Sequence, residues 1–380
     1  MWLASRKWGV QGGLKGEQLD GPPKTGGTLI PSETTPIAKC QDKRLIGQRK
    51  IEMKITIYGA GAIGGHLGAL LSRNGVDVSL VARGAHLEAI RRNGLTLQRG
   101  NEEPFTTHPH ATEDPATLGT QDYVIVSLKS HQAPGVMDAI KPLLGTDTTV
   151  ATAMNGVPWW YFYKLAGPYE NTRVKSVDPD GKQWDRIGPK RVIGCITYVA
   201  AEVVAPGVVK SGGSGRYFLG EPGGNKSERC LRLAEVIAKT GIVACVRPDL
   251  RADLWVKIMG NAAFNPTSAL TLGTVGEMVN DPDMEALLRR MMEEVTAVGR
   301  ALGSVPSASV DYRIENAREN AMPHKSSMLQ DLERGRMMEI NPIIGAAQEM
   351  GALAGVPTPT IDTVLALVKL RARLGGMLPE

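Results

Sequence analysis

The residues best suited to chemistry stand on one apolar stretch, where Lys257, Asn261 and Asn265 recur four residues apart. In a helix this spacing puts an ammonium and two amides on one face. The stretch Leu254–Pro266 is so apolar that most faces of such a helix must be buried, and its polar groups then need partners. Burial lowers the pKa of a lysine, which suits a proton donor, and amides can hold a hydroxyl or keto oxygen. The alternative is a structural ion pair of Lys257, with asparagines that cap or cross-link helices.

A second chemical feature is a glycine-rich turn made by Gly59, Ala60, Gly61, Ala62, Ile63 and Gly64. The spacing Gly-x-Gly-x-x-Gly permits a tight turn at the first glycine, a close backbone approach to a pyrophosphate at the second and close helix packing at the third. An anion would then bind the free N–H groups at the start of the helix. The turn predicts a dinucleotide site, and the alternative is a glycine-rich turn in a sheet protein.

Arg83 indicates which dinucleotide is bound. The second strand of such a unit normally ends in an acidic residue when the ligand is NAD, because a carboxylate bonds the ribose 2′-hydroxyl. Here the strand ends in Val81-Ala82-Arg83-Gly84, without an acid. A guanidinium can pair with a 2′-phosphate, so the sequence favours NADP (NADPH). The alternative is a surface arginine at a strand end.

The elements that must position these residues begin at Met53. Lys54 to Tyr58 and Val76 to Ala82 have strand character and flank a helical stretch from Ala62 to Asn74, which makes a βαβ unit. Further short apolar runs predict more strands of a doubly wound sheet: Tyr123 to Leu128, Thr148 to Ala153, Val192 to Ala200, Val208 to Lys210, Tyr217 to Leu219 and Val243 to Val246.

After Pro248 the apolar periodicity becomes helical. The predicted helices are Leu250 to Phe264, Asp283 to Leu302, Ser326 to Glu333, Pro342 to Ala354 and Thr360 to Leu374. The first should stop before Pro266, because a proline disfavours helical backbone at the residue before it. We therefore predict an α/β chain: a Rossmann-type doubly wound sheet over 53–247, followed by an all-helical domain over 248–380. Residues 1–52 lack an apolar period and are expected to be a disordered extension or an over-long start.

Composition limits the classes of function. The formal net charge is +5 over 380 residues, without runs of lysine or arginine, which argues against nucleic acid as a partner. The most apolar long stretch is interrupted by polar residues and makes a poor membrane span. The four cysteines show no Cys-x-x-Cys spacing, which favours a reducing, cytoplasmic setting. The six histidines suggest no metal-ligand set, and we expect no metal.

Several motifs, in this order and spacing, resemble those of the ketopantoate reductase (2-dehydropantoate 2-reductase) family. The resemblance covers the chain from about residue 53 to the C-terminus and implies a site in the cleft between the two domains and commonly a homodimer. The motifs are Met53-Lys54-Ile55 before the glycine turn, Ser127-Leu128-Lys129-Ser130, Asn155-Gly156, Trp255-Val256-Lys257 with Asn261 and Asn265-Pro266, Ser326 to Asp331, and Glu339-Ile340.

The resemblance also implies roles for single residues. Lys257 would be the general acid, and Glu339 would position the ribose and support the lysine. The substrate, a small 2-keto acid, would be held by Asn261, Asn265 and Ser327. The remaining residues would contact the cofactor: Asn155 beside nicotinamide and substrate, Lys129 and Arg83 at phosphate, and Ala201 through its backbone. For Ser327 and Glu339 the alternatives are helix capping and a structural ion pair.

Two departures from the family pattern leave the exact 2-keto acid open. The chain after Asn155-Gly156 is longer than usual and contains the aromatic run Val157 to Tyr163, which is either a lid or pocket wall or else a hydrophobic cluster under a long loop. Thr274-Val275 stands where some relatives have a further asparagine. The predicted function is NADPH-dependent reduction of ketopantoate to pantoate for pantothenate and coenzyme A synthesis. The alternatives are reduction of another 2-keto acid and a non-catalytic NADP-binding sensor.

Overall fold

The structure is a computed structural model that describes residues 53–320 and 323–378, so the interpretation of residues 1–52 lies outside the described residues. Ten strands in the described part form one mixed sheet. They are β1 (Lys54–Tyr58), β2 (Asp77–Val81), β3 (Leu95–Arg99), β4 (Phe105–Thr107), β5 (His110–Thr112), β6 (Gln121–Val126), β7 (Leu144–Thr152), β8 (Val192–Ala205), β9 (Val208–Gly220) and β10 (Val243–Val246).

The strands follow the spatial order β4-β3-β9-β8-β7-β6-β1-β2-β5, with β10 paired to β9. The pairs β3/β4 and β8/β9 are antiparallel and the other pairs are parallel. Central strands such as β1 and β6 are buried at nearly every position, as parallel strands covered on both faces must be. The chain leaves β1 between β2 and β6, the type of position where α/β sheets bind ligands.

Helices cover the sheet and make up the C-terminal part. In the described residues they are α1 (Ala62–Arg73), α2 (Gly84–Asn93), α3 (Ala133–Val136), α4 (Lys182–Ile187), α5 (Glu228–Ala238), α6 (Leu250–Thr271), α7 (Val275–Asn280), α8 (Pro282–Ala301), α9 (Val310–Asn320), α10 (Ser327–Glu333), α11 (Ala346–Ala354) and α12 (Pro359–Leu374). A π-helical turn, Asn341–Gly345, leads into α11. None of these helices is long and apolar enough to cross a membrane.

The apolar core has two parts. One part lies between the sheet and helices α1 and α5 and contains residues such as Ile57, Leu67 and Leu233. The other joins strand residues such as Val124 to helix α6 and the helices packed on it. The predicted α/β class, with a Rossmann-type sheet followed by helices, is confirmed, whereas the boundary near Arg247-Pro248 stays a prediction.

Two predictions about local structure are wrong. The runs around Val208 and Tyr217 are one strand, because β9 pairs with β8 across the intervening Ser-Gly-Gly-Ser-Gly, with an irregular register near Ala201. Helix α6 also continues through Pro266 to Thr271. The Thr267 hydroxyl donates to the carbonyls of Ala263 and Phe264, at 2.7 and 3.2 Å, in the turn that contains the proline.

Candidate active site

The glycine turn connects β1 to α1 and has the local geometry that its spacing predicts. Gly59 has a φ of +105°, which favours glycine, and the N–H groups of Gly59 and Ala60 both donate to the Val81 carbonyl at 3.1 and 3.2 Å. A Cβ at Gly64 would overlap the Gly59 carbonyl and the Ser127 hydroxyl, so α1 packs directly on the turn. A Cβ at Gly61 would meet nothing, so open space remains beside the turn.

Arg83 follows β2 and is the N-cap residue of α2, with its side chain exposed and without a side-chain capping bond. Arg83 has no ion-pair partner among the described residues. It stands one strand away from the glycine turn, since β1 and β2 pair over their whole length. The guanidinium is therefore available to an anion at this edge of the turn.

Lys257 lies on α6 and points towards β8. Its Nζ donates to the Thr197 carbonyl at 2.8 Å and stands 5.8 Å from the centre of the Tyr198 ring. Burial lowers the pKa of Lys257 to about 8, against the opposing influence of Cys195 and Glu339. A lysine with this pKa exchanges a proton readily near neutral pH.

The polar residues that follow on α6 and α10 present groups without protein partners. The Nδ2 of Asn265 is buried and unpaired, and the Asn261 amide makes no hydrogen bond, within the described ranges. On α10 the capping residue is Ser326, whose Oγ accepts from the Leu329 N–H at 3.1 Å. The Ser327 hydroxyl is left without a hydrogen bond to the described residues. These unpaired groups can serve a ligand.

Glu339 is a buried carboxylate with three hydrogen-bond donors around it, and its residue is 3% exposed. Oε1 accepts from the Ser130 N–H at 2.9 Å, while Oε2 accepts from Asn155 Nδ2 at 3.3 Å and from Lys129 Nζ at 3.4 Å. Burial raises the pKa of Glu339, but Lys129 and the hydrogen bonds outweigh it and hold the pKa below its usual value. The carboxylate is therefore ionised at neutral pH.

Lys129 makes a shorter ion pair with Asp331, at 2.6 Å, than with Glu339. Although burial lowers the pKa of Lys129, the two carboxylates outweigh it and raise the pKa above its ordinary value. Asp331 belongs to a motif that the sequence singled out, but no role was predicted for it. The sequence around Asp331 does not indicate an ion pair, because its partner Lys129 lies 202 residues away in the chain.

The predicted site residues fall into two groups. Lys129, Asn155 and Glu339 are hydrogen-bonded together, and Lys257 is near enough for Glu339 to influence its pKa. Within the described ranges no side-chain hydrogen bond or ion pair joins these four residues to the remaining ones, which are the glycine turn, Arg83, Ala201, Asn261, Asn265 and Ser327. Ala201 pairs with Ser211 in the β8/β9 ladder. No group of three or more His, Cys, Asp or Glu side chains in the described part is placed to hold a metal ion.

The aromatic segment, residues 159–163, is packed into the core rather than placed over the site as a lid. Trp160 is 2% exposed, and its Nε1 donates to the Thr152 hydroxyl at 2.9 Å. The Tyr161 hydroxyl accepts from Trp255 Nε1 at 2.8 Å, which ties the segment to α6. Trp160 and Lys257 nevertheless line the same cavity, so the segment also forms a wall beside the lysine.

The arrangement combines a glycine turn with open space beside it, an amine with a lowered pKa and unpaired amides. The first suits a dinucleotide, the second can deliver a proton to an oxygen that gains negative charge, and the third can hold polar groups of a small ligand. Together they provide what a reduction of a carbonyl compound requires from a protein.

Comparison with known proteins agrees with this chemistry. Residues 55–224 match the family "Ketopantoate reductase PanE/ApbA", and residues 249–372 match "Ketopantoate reductase PanE/ApbA C terminal". The 2-dehydropantoate 2-reductase of Mesorhizobium japonicum is 52% identical over 83% of this chain and 97% of its own length. The crystal structure of 2-dehydropantoate 2-reductase from Geobacter metallireducens is 28% identical, with a TM-score of 0.74 over 84% of this chain and 100% of that one.

A more distant likeness shows the fold alone. D-mandelate dehydrogenase in a ternary structure with NADH is 22% identical, with a TM-score of 0.74, and the match covers 86% of this chain and 100% of that one. The extended matches to ketopantoate reductases, in sequence and in structure, are the ones that show the family. This chain belongs to the ketopantoate reductase family of nicotinamide-dependent oxidoreductases.

Proposed function

We propose that this protein reduces 2-dehydropantoate (ketopantoate) to pantoate with NADPH, a step of pantothenate and coenzyme A biosynthesis in the cytoplasm. The observation that carries the proposal is Lys257, an amine whose pKa burial lowers to about 8, on the same helix as the unpaired Nδ2 of Asn265. The printed function of the Mesorhizobium relative, at 52% identity, supports the substrate.

The residues around the glycine turn fit an NADP cofactor. Gly61 leaves open space beside the turn, where the pyrophosphate would bind, and the exposed Arg83 would accept the 2′-phosphate. When bound, NADPH supplies the hydride that the keto carbon accepts. We also propose that Lys129 and Asn155 reach this cofactor, and that Ala201 touches it through its backbone.

The chain's own residues supply the proton and the orientation. Lys257 would donate a proton to the oxygen of the former keto group as negative charge develops there. Asn261, Asn265 and Ser327 would hold the hydroxyl and carboxylate of the substrate. Glu339, ionised and held by Ser130 N–H, Asn155 and Lys129, would position the ribose and keep Lys257 charged.

A second candidate, reduction of a different 2-keto acid, is favoured by one observation. Trp160 is a rigid wall of the cavity that Lys257 lines, so its size limits what fits beside the lysine. The non-catalytic sensor has less support, since cofactor binding alone does not require a lysine such as Lys257 with a lowered pKa. A homodimer stays a prediction that sedimentation of the purified protein measures.

The deciding experiment follows NADPH and NADH oxidation with ketopantoate and with a small panel of bulkier and aromatic 2-keto acids. We expect ketopantoate with NADPH to give the highest kcat/KM, and Lys257→Ala to abolish most of kcat. Activity on a bulkier acid without activity on ketopantoate would transfer the assignment to the second candidate. Cofactor binding without reduction of any acid would support the sensor.

A further inference from the structure

His86, on α2, contacts the glycine turn and the β8/β9 hairpin with the two nitrogens of its ring. Its Nε2 lies 2.8 Å from the Ala60 carbonyl oxygen. Its Nδ1 accepts from the Gly207 N–H at 3.0 Å. The half-buried imidazole therefore joins three segments that are distant in sequence, and one of them is the turn at which we place the pyrophosphate.

These two partners determine the form of the ring. The Gly207 N–H can only donate, so Nδ1 must offer a lone pair, and the Ala60 carbonyl can only accept, so Nε2 must carry the hydrogen. The bridge therefore requires the neutral imidazole with its hydrogen on Nε2. A second proton would place an N–H on Nδ1, facing the Gly207 N–H, and would break that contact.

The surroundings also favour the neutral ring. Burial lowers the pKa of His86, and the bond to Ala60 opposes this only in part. On α2 and its N-cap the charged residues closest in sequence to His86 are Arg83 and Glu88, and on β9 the one closest to Gly207 is Lys210. All three are exposed. None of them contributes to the pKa shift of His86.

We propose that His86 is a positioning residue for the dinucleotide site. The Ala60 N–H donates to the Val81 carbonyl and the Ala60 carbonyl accepts from His86 Nε2, so the peptide groups on both sides of Ala60 are held. The start of α2 has no side-chain capping bond from Arg83, and His86 instead ties this helix end to the turn. His86 thus sets the distance between the pyrophosphate turn and the Arg83 that would read the 2′-phosphate. This inference rests on the proposed cofactor site.

Three substitutions separate the two contacts. His86→Asn keeps an acceptor near the position of Nδ1, His86→Gln keeps a donor near the position of Nε2, and His86→Ala removes both. The loss of one or both bonds should weaken NADP⁺ and NAD⁺ binding by about three- to tenfold in Kd, least for His86→Gln, which keeps the bond to Ala60. The kcat at saturating cofactor should be unchanged. His110→Gln, which alters an exposed histidine on β5 of the same sheet, is the matched control.

The pH dependence of binding provides a readout that a purely structural role would not change. NAD⁺ is the probe, because it lacks a 2′-phosphate that itself titrates near pH ~6. Because burial holds the pKa of His86 below its ordinary value, the affinity of the wild-type protein should fall only in the acidic range below that value, where the ring gains its second proton, and the His86→Gln protein should lack this limb.

Calorimetric titration of the full chain with each dinucleotide tests the inference, and thermal unfolding identifies any variant that fails to fold. Equal Kd values in wild type, His86→Asn and His86→Gln, or a loss of kcat without a change in Kd, would overturn the role of His86 and leave the proposed function standing. A wild-type protein that binds neither dinucleotide would overturn both.

Discussion

At the scale of single residues, the mechanism that we propose depends on the charge of Lys257. Its ammonium contacts one carbonyl, that of Thr197, and makes no ion pair with a described residue, although Glu339 is near enough to raise its pKa. Desolvation is therefore the dominant influence and leaves the pKa at about 8. A proton donor works in its protonated form, so with Lys257 as the donor this pKa would set the upper pH limit of the reduction.

We expect kcat for ketopantoate reduction to fall as pH rises through about 8, because deprotonated Lys257 has no proton to give. Lys257→Met should lower kcat by about two to four orders of magnitude, the usual contribution of a general acid. Lys257→Arg should also lower kcat, but by less than Lys257→Met does. Its kcat should not fall as pH rises through about 8, since a guanidinium stays charged. Steady-state kcat across pH, at saturating NADPH, measures these effects.

A matched pair of variants identifies the carboxylate that acts on Lys257. Glu339→Gln removes a charge that raises the pKa of Lys257, so the limb should move to lower pH. Asp331 is the other partner of Lys129 but does not contribute to the pKa of Lys257. In the Asp331→Asn protein the fall of kcat should therefore occur at the same pH as in the wild type. A limb that is the same in wild type and Glu339→Gln would contradict the support that we assign to Glu339.

At the scale of elements, the sequence predicts those strands and helices whose bounds depend on local patterns of glycine and apolar residues. The βαβ unit was placed to within a residue at most ends, because the glycine spacing and the alternation of apolar runs are local signals. The sequence does not predict the end of α6, because the local cost of Pro266 is visible in it, whereas the burial of Pro266, Thr267 and Ser268 is not. Helices α2 and α5 are not predicted: α2 buries only Leu87 and Ile90, whereas α5 has an apolar face, with Leu233, Val236 and Ile237 buried, that the sequence does show.

The aromatic segment was recognised as unusual, yet its packing could not be predicted. The segment is held by a hydrogen bond from Trp255 Nε1 to the Tyr161 hydroxyl, and both side chains are fully buried. The two residues are 94 positions apart in the chain, so no local pattern indicates this bond. The rings of these residues also meet edge to face at 5.9 Å. Such a bond holds the segment that forms the Trp160 wall against the helix that carries Lys257.

Tyr161→Phe should therefore lower the free energy of unfolding by about 1–3 kcal/mol, because the Trp255 N–H would remain buried without an acceptor. Urea unfolding measures the change. Tyr163→Phe, in the same segment, removes a hydroxyl that makes no hydrogen bond to a described residue, and it should change the stability by less than about 0.5 kcal/mol. Equal effects of the two substitutions would show that the Trp255 bond contributes nothing.

At the scale of the whole molecule, the candidate site joins residues that are far apart in the described chain. Glu339 accepts a hydrogen bond from the Ser130 N–H, 209 residues away in the chain, and Lys129 forms an ion pair with Asp331, 202 residues away. The family resemblance pointed to Lys129, Asn155 and Glu339 as site residues, but neither their mutual bonds nor the role of His86 could follow from spacing. Contacts over such separations depend on how the sheet and the helices pack.

That packing makes the predicted two-domain division testable. One core contains Val124 and Val150 of the sheet together with Ile258, Met259 and Val298 of the helices, so separate unfolding of the helices would expose the apolar face of β6 and β7. Exposure of apolar surface costs about 25 cal/mol per Å², which favours joint unfolding. We therefore expect one cooperative transition for the sheet and the helices.

Differential scanning calorimetry with and without NADP⁺ tests this expectation. A ligand at 100 times its Kd stabilises the state that binds it by about 2.7 kcal/mol, so the single transition should move as a whole to higher temperature. Two transitions, of which NADP⁺ moves only one, would instead mean that the parts on either side of Arg247-Pro248 unfold independently. In that case the shared core around Val124 and Ile258 would be too weak to couple the cofactor turn to the helix of Lys257.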